Sequence, residues 1–261
     1  MPAALKRLAI ARVAIGVIFL LRTTPALEWL GVGWAERTLL GGGEGAWHPT
    51  PFGFALSSGA MTSLAIVRTV AAVAFCVGLE ARWAGVVASA LGYLALEQDP
   101  MGYVNSLHLL FSSTLVLALA DSQTVLAIRP RPPSSPRTSV WLIRGLAMSV
   151  YAFSGLAKLN RDFLSGHALM NLHSDGELKG TIADLVCASL ARARAASVLA
   201  AAFELAIPCL LVCRRTRRPA LIVALVFHLV IEISMHPDIF GWLMVSLLFA
   251  FASREKQGVL R

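Results

Sequence analysis

Apolar residues run along this chain in eight blocks, at roughly 8–28, 60–79, 83–97, 104–121, 140–159, 195–213, 219–235 and 239–253. Polar and basic residues collect in the stretches between them. A block of about 20 helical residues, at 1.5 Å each, crosses the ~30 Å hydrocarbon layer of a bilayer. The shorter blocks suit a locally thinned membrane. The pattern predicts an all-α fold, a polytopic transmembrane helix bundle of about eight helices. No internal repeat and no separate soluble core stand out, so 1–261 reads as a single transmembrane domain.

Composition supports lipid as the solvent. Of 261 residues 57% are hydrophobic and 15% charged, where a soluble domain keeps about a quarter of its residues charged. Mean hydropathy is +0.69. The net charge of +8 gathers in loops, which is the habit of cytoplasmic loops and not a nucleic-acid footprint. With the N-terminus placed inside, the inward segments carry Lys6, Arg7, Arg82, Arg129, Arg131, Arg137, Arg214, Arg215, Arg217, Arg218, Arg254, Lys256 and Arg261. The outward ones carry only Arg37, Arg161, Lys179, Arg192 and Arg194. This bias predicts both termini in the cytoplasm and a multi-pass protein of the cell membrane.

Three connections carry their own signals. The proline-rich run at 129–137 opens a cytoplasmic linker, 129–139, in which a helix cannot continue. The stretch 160–194, with HSDGE in its middle, reads as the longest extracytoplasmic loop. The 31–51 stretch is rich in glycine and tryptophan, and Trp29, Trp34 and Trp47 suit an interfacial belt.

Ionisable groups inside a bilayer are costly and mark function or obligatory pairing. The blocks hold Arg22, Arg68, Arg144, Lys158, Glu204, His228 and Glu232. Arg144, Tyr151 and Lys158 recur every seven residues, so they share one helix face. Position alone lets Lys158 snorkel to the outer headgroups; held in an apolar pocket, the same amine would serve as a base. Glu204, in mid-helix, is expected to be protonated or paired with a buried arginine. Arg22 and Arg68 either neutralise the glutamates or receive a substrate anion. His228 and Glu232 share a face at a spacing of four. They read as an interhelical polar pair, because a metal needs at least three ligands and no HExxH helix is present. The four cysteines form no CxxC, and three of them lie in apolar runs as small packed hydrophobes. No Walker loop, GxSxG or dinucleotide fingerprint occurs. No metal is expected.

The stretch 141–169 resembles the signature of the vitamin K-dependent γ-carboxylase-like, or HTTM, membrane family. The shared pattern is Arg144-Gly145, Tyr151, Gly155, Lys158-Leu159, an aromatic at Phe163 (tryptophan in most of the family) and Gly166. A second block, 203–231, carries Glu204, Pro208 and His228; a weaker one is Tyr103-Val104-Asn105, and Arg12 extends the likeness into the first helix. The resemblance implies Lys158 as base on a quinone-like substrate, with a reduced quinone and O2 as co-reactants. The carboxylases follow the position of Asn105 with a histidine, whereas this chain has Ser106 there and His108 two positions on. The large luminal domain that captures their peptide substrate has no counterpart, so protein glutamate carboxylation is not expected. The short bacterial members of the family are the nearer comparison.

Three readings follow. The first is an enzyme acting on a quinone-like or isoprenoid lipid, with Lys158, Tyr151, Glu204 and His228 as catalytic candidates. Arg144, Arg22, Arg68, Asn105, His108 and Glu232 would contact substrate. The second is a terpene or prenyl cyclase with Glu204 as an intramembrane acid. The third is a non-catalytic accessory or immunity protein of a peptide-toxin maturation system, with a peptide partner.

Overall fold

The structure, a computed structural model, describes residues 3–24, 56–98, 105–120, 122–131, 135–235 and 238–252. Every regular element among them is helical. In chain order these are α1 (Ala3–Thr23), α2 (Ser58–Val77), α3 (Ala81–Gln98), α4 (Asn105–Leu119), α5 (Pro136–Ala157), α6 (Arg161–Leu164), α7 (His167–Ser174), α8 (Thr181–Cys187), α9 (Leu190–Val212), α10 (Arg217–Met235) and α11 (Phe240–Leu248), followed by a 3₁₀ turn, Phe249–Phe251.

Each apolar block has its helix, with shifted ends. The largest shifts have local causes. Helix α9 starts at Leu190, not 195, because the Ser189 hydroxyl accepts from Arg192 N at 3.3 Å and caps it. The expected 160–194 loop is folded into α6, α7 and α8. Asn160 starts α6 by accepting from Phe163 N at 2.9 Å. The proline-rich linker ends at Pro136, a residue well suited to a first helical turn. The tryptophan-rich stretch with Trp29, Trp34 and Trp47, and residues 103–104, lie outside the described residues.

Among the described residues four helices are long and apolar enough to cross a membrane: 59–77, 137–157, 190–212 and 217–235. Two shorter helical stretches, Asn105–Leu119 and Phe240–Phe251, are also apolar. Phe153 and Leu199 stand 72% and 70% exposed. Side chains of this size left bare along apolar helices face lipid, not water. Among the described residues the protein is all-helical, with the apolar helices of a membrane protein.

It divides into two compact units, Met1–Ile143 and Arg144–Arg261. In the first, α3 packs between α2 and α4, and α1 packs on both α2 and α4. Phe19, Phe75, Phe111 and Leu110 fill its centre. Helices approach closely there because Gly92 faces Phe111; a Cβ at 92 would lie 2.5 Å from that ring. In the second unit α9 packs against α6, α7, α8 and α10, and α10 against α8 and α11.

Buried arginines in both units end on main-chain carbonyls. Arg12 donates to Ser122 O at 2.8 Å and also to Leu126 O. Arg68 donates to Thr23 O, the last residue of α1, at 2.7 Å. Arg144 donates to Ala250 O at 3.2 Å and lies over the Phe251 ring. Arg217 reaches Leu211 O and Val212 O at the end of α9, at 2.9 and 3.2 Å. The last carbonyls of a helix lack internal donors and carry the negative end of its dipole, so a guanidinium is a fitting cap. Replacing Arg12 with methionine strands two carbonyls. The expected loss is about 2–3 kcal/mol, read as a lower unfolding temperature in detergent; an unchanged temperature would remove Arg12 from this role.

Candidate functional site

Helix α5 sets the site. Tyr151 and Lys158 are seven residues apart, about 10 Å along the axis, and each meets a partner from another helix of the second unit.

The upper station is Tyr151 with His228 of α10. The phenol oxygen and Nε2 lie 2.7 Å apart and share one hydrogen. Both residues are 2% exposed. The other imidazole nitrogen, Nδ1, is buried with no hydrogen-bond partner among the described residues. Aromatic rings close around the pair. The Phe227 and Phe240 centroids lie 5.7 and 6.0 Å from the imidazole, and Phe203 stacks edge-on to Tyr151 at 6.3 Å and on Phe227 at 4.6 Å.

The second station is Lys158 with Glu204 of α9. Nζ donates to Glu204 Oε2 at 2.7 Å and to Ser154 Oγ at 2.7 Å, and lies 5.7 Å from the centre of the Phe163 ring. The Glu204 side chain is 6% exposed and that of Lys158 24%. The ammonium thus turns inward to a buried carboxylate and does not run free to the headgroups. Glu204 takes Lys158 and not an arginine, which differs from the expectation drawn from its position.

Two glycines explain why. A Cβ on Gly155 would sit 2.9 Å from Leu205 Cγ and 3.1 Å from Leu205 N, so only glycine lets α5 and α9 come this near. Glu204, next to Leu205, is thereby carried to Lys158. Gly166, at φ +89°, lies with its Cα side against the Ala193–Arg194 backbone, holding the turn after α6 on the start of α9. That turn follows Phe163, the ring beside Nζ. Lys158 itself follows the last residue of α5, where a positive charge is favoured by the helix dipole. Pro208, four residues after Glu204, has no N–H for the Glu204 carbonyl.

The remaining candidates are placed as follows. Arg144 is committed to Ala250 O and Phe251. Glu232 is half-buried, its carboxylate so close to Gly241 that a Cβ there would meet Oε2 at 2.7 Å. His228 is bound to Tyr151, so the expected sharing of a face with Glu232 does not make Glu232 its partner in the structure. Arg22, Arg68, Asn105 and His108 belong to the first unit. Arg22 is buried in the last turn of α1. Asn105 and His108 are exposed on α4, where the His108 ring meets Tyr93 edge-on at 5.2 Å. His173, in the HSDGE stretch, bonds Leu178 O through Nδ1 at 2.9 Å and approaches Asp184 at 3.6 Å. Among the described residues no three or more His, Cys, Asp or Glu side chains gather as a metal site would require.

Ser154, Phe203, Phe227 and Phe240 belong to the site and were not foreseen. Ser154 was detectable, lying one turn before Lys158 on the same face. The phenylalanines carry no signal in a chain this apolar.

Losing one member of a buried pair should cost more than losing both. Lys158→Met or Glu204→Met alone is expected to destabilise by about 1–3 kcal/mol, while the double variant returns most of the way to wild type in thermal unfolding. Additive losses would contradict the pairing. Gly155→Ala should destabilise by about 1–3 kcal/mol and weaken the Lys158–Glu204 coupling energy in the same cycle. An unaltered coupling would show that Gly155 does not set the distance.

A family model of the HTTM domain matches residues 1–255, and the chain belongs to that family. No curated protein and no solved structure matches it.

Proposed function

We propose that this HTTM-family chain is a multi-pass enzyme of the cell membrane, acting on a quinone-like or isoprenoid lipid that enters sideways from the bilayer. Eight spans with inward basic turns complete this reading, and the two stations on α5 are its active site. The observation that carries it is the Lys158–Glu204 pair at 2.7 Å, beside the Phe163 ring and two helical turns from the ring-lined Tyr151–His228 pair.

The chemistry follows from those distances. A proton can pass between Nζ and Oε2, so the pair offers either an ammonium and a carboxylate or an amine and an acid. In the second state the amine can take a proton from an acidic hydroxyl while Glu204 holds the other. Ser154 orients the amine through its hydroxyl. Tyr151 and His228 form a second proton-carrying pair, and Phe203, Phe227 and Phe240 give it an apolar, ring-faced wall suited to a planar or unsaturated group. The buried arginines are read as structural: Arg68, Arg144 and Arg217 answer carbonyls at or near helix ends, and Arg12 those of the irregular stretch after α4.

A second reading, a prenyl cyclase, draws on the same aromatic wall, since rings stabilise cationic intermediates. It needs Glu204 to deliver a proton to the lipid, and in the structure Glu204 Oε2 is taken up by Lys158 Nζ at 2.7 Å.

The test is lipid and small-molecule profiling of cells that lack the gene and are supplied with wild type, Lys158→Met or Tyr151→Phe at equal membrane levels. Wild type is expected to convert one lipid class to another. Lys158→Met should lower that conversion by at least about 100-fold, and Tyr151→Phe by less. Full conversion by Lys158→Met would sink the reading. Loss with Glu204→Gln but retention with Lys158→Met would favour the cyclase.

A further inference from the structure

The connection between α9 and α10 is a four-residue turn, 213–216, and the segment 213–218 reads CRRTRR, with four arginines and no carboxylate. Two of its side chains are committed internally. Arg217 caps α9 through Leu211 O and Val212 O, and the Thr216 hydroxyl donates to Leu210 O at 2.8 Å. Arg215 and Arg218 are different: both are exposed, and neither has a carboxylate partner among the described residues. The basic stretch at 129–131 provides the contrast. There Arg131 and Arg129 lie 2.8 and 3.8 Å from Glu80, so part of that charge is answered within the protein.

Where the turn lies follows from the helices on either side. Helices α9 and α10 have 23 and 19 residues, and each is long and apolar enough to cross a membrane. Only four residues join them, so the turn is held at the hydrocarbon boundary, at the depth of the phosphate layer. A guanidinium there presents a planar fork that matches a phosphodiester.

We propose that Arg215 and Arg218 form a contact surface for the headgroups of anionic phospholipids in the leaflet that meets this end of α9 and α10. The surface is separate from the α5 site and stands whether or not that site is catalytic. Each arginine near an anionic surface favours binding enough that the pair should give a preference on the order of tenfold, lost in high salt.

Cys209 and Cys213 are exposed, so the full-length Cys209→Ser protein can be labelled with a fluorophore at Cys213, beside the two arginines. It is placed in phosphatidylcholine bilayers doped with a small, equal fraction of nitroxide-labelled phosphatidylglycerol or nitroxide-labelled phosphatidylcholine. Quenching by the anionic lipid is expected to be several-fold stronger. The difference should vanish in Arg215→Gln/Arg218→Gln and persist in Arg215→Lys/Arg218→Lys, with helical content and Cys213 accessibility checked in each variant. Equal quenching by the two lipids, or a preference that survives Arg215→Gln/Arg218→Gln in a correctly inserted protein, would overturn the proposal. Loss of the preference on adding inorganic phosphate at constant ionic strength would assign a soluble anion and overturn it as well.

Discussion

In hydrocarbon no water is present to satisfy a polar group, so every donor, acceptor and charge must find its partner within the chain. Much of this structure follows from that constraint. Four arginines, Arg12, Arg68, Arg144 and Arg217, donate to main-chain carbonyls, most of them at or near helix ends. Each of these side chains is buried, and its guanidinium answers oxygens that would otherwise be stranded. The same constraint turns Lys158 inward. Its ammonium and the Glu204 carboxylate offset each other's desolvation, and neither can be removed alone without leaving a charge in an apolar setting.

The pair also depends on backbone distance, and glycine controls it. Gly155 brings α9 against α5, and Gly166 seats the turn after α6 on α9. The residues that carried the family resemblance therefore converge on one place: Gly155, Lys158, Phe163 and Gly166 all surround the Lys158–Glu204 contact. Tyr151, two turns away, meets His228 inside a ring of phenylalanines. Arg144, the first of the seven-residue series, instead stabilises the chain around Ala250.

Much of the fold was legible because helices in lipid announce themselves as apolar blocks, and each block has its helix. The shared face of Tyr151 and Lys158 was legible too, since it needs only helical periodicity. Partner identity was not. Glu204 pairs with Lys158 because of how closely two backbones approach at Gly155, which no spacing along the chain reveals. The 160–194 stretch looked like a loop because its helices are too short to show periodicity. Asn160 caps the first of them and turns at Gly166 and Gly180 precede the other two, while Ser189 caps the α9 that closes the stretch. Glycine at a positive φ and a small polar cap are weak signals in sequence and decisive ones in structure.

The central claim is that the Lys158–Glu204 pair does chemistry and does not merely join α5 to α9. The direct measurement is the charge-swapped Lys158→Glu/Glu204→Lys protein, compared with wild type for both unfolding temperature and the lipid conversion found by profiling. A catalytic pair predicts that stability recovers while conversion does not, because the amine then projects from α9 and no longer lies beside Ser154 and Phe163. Recovery of both would contradict the account and make the pair a structural clasp.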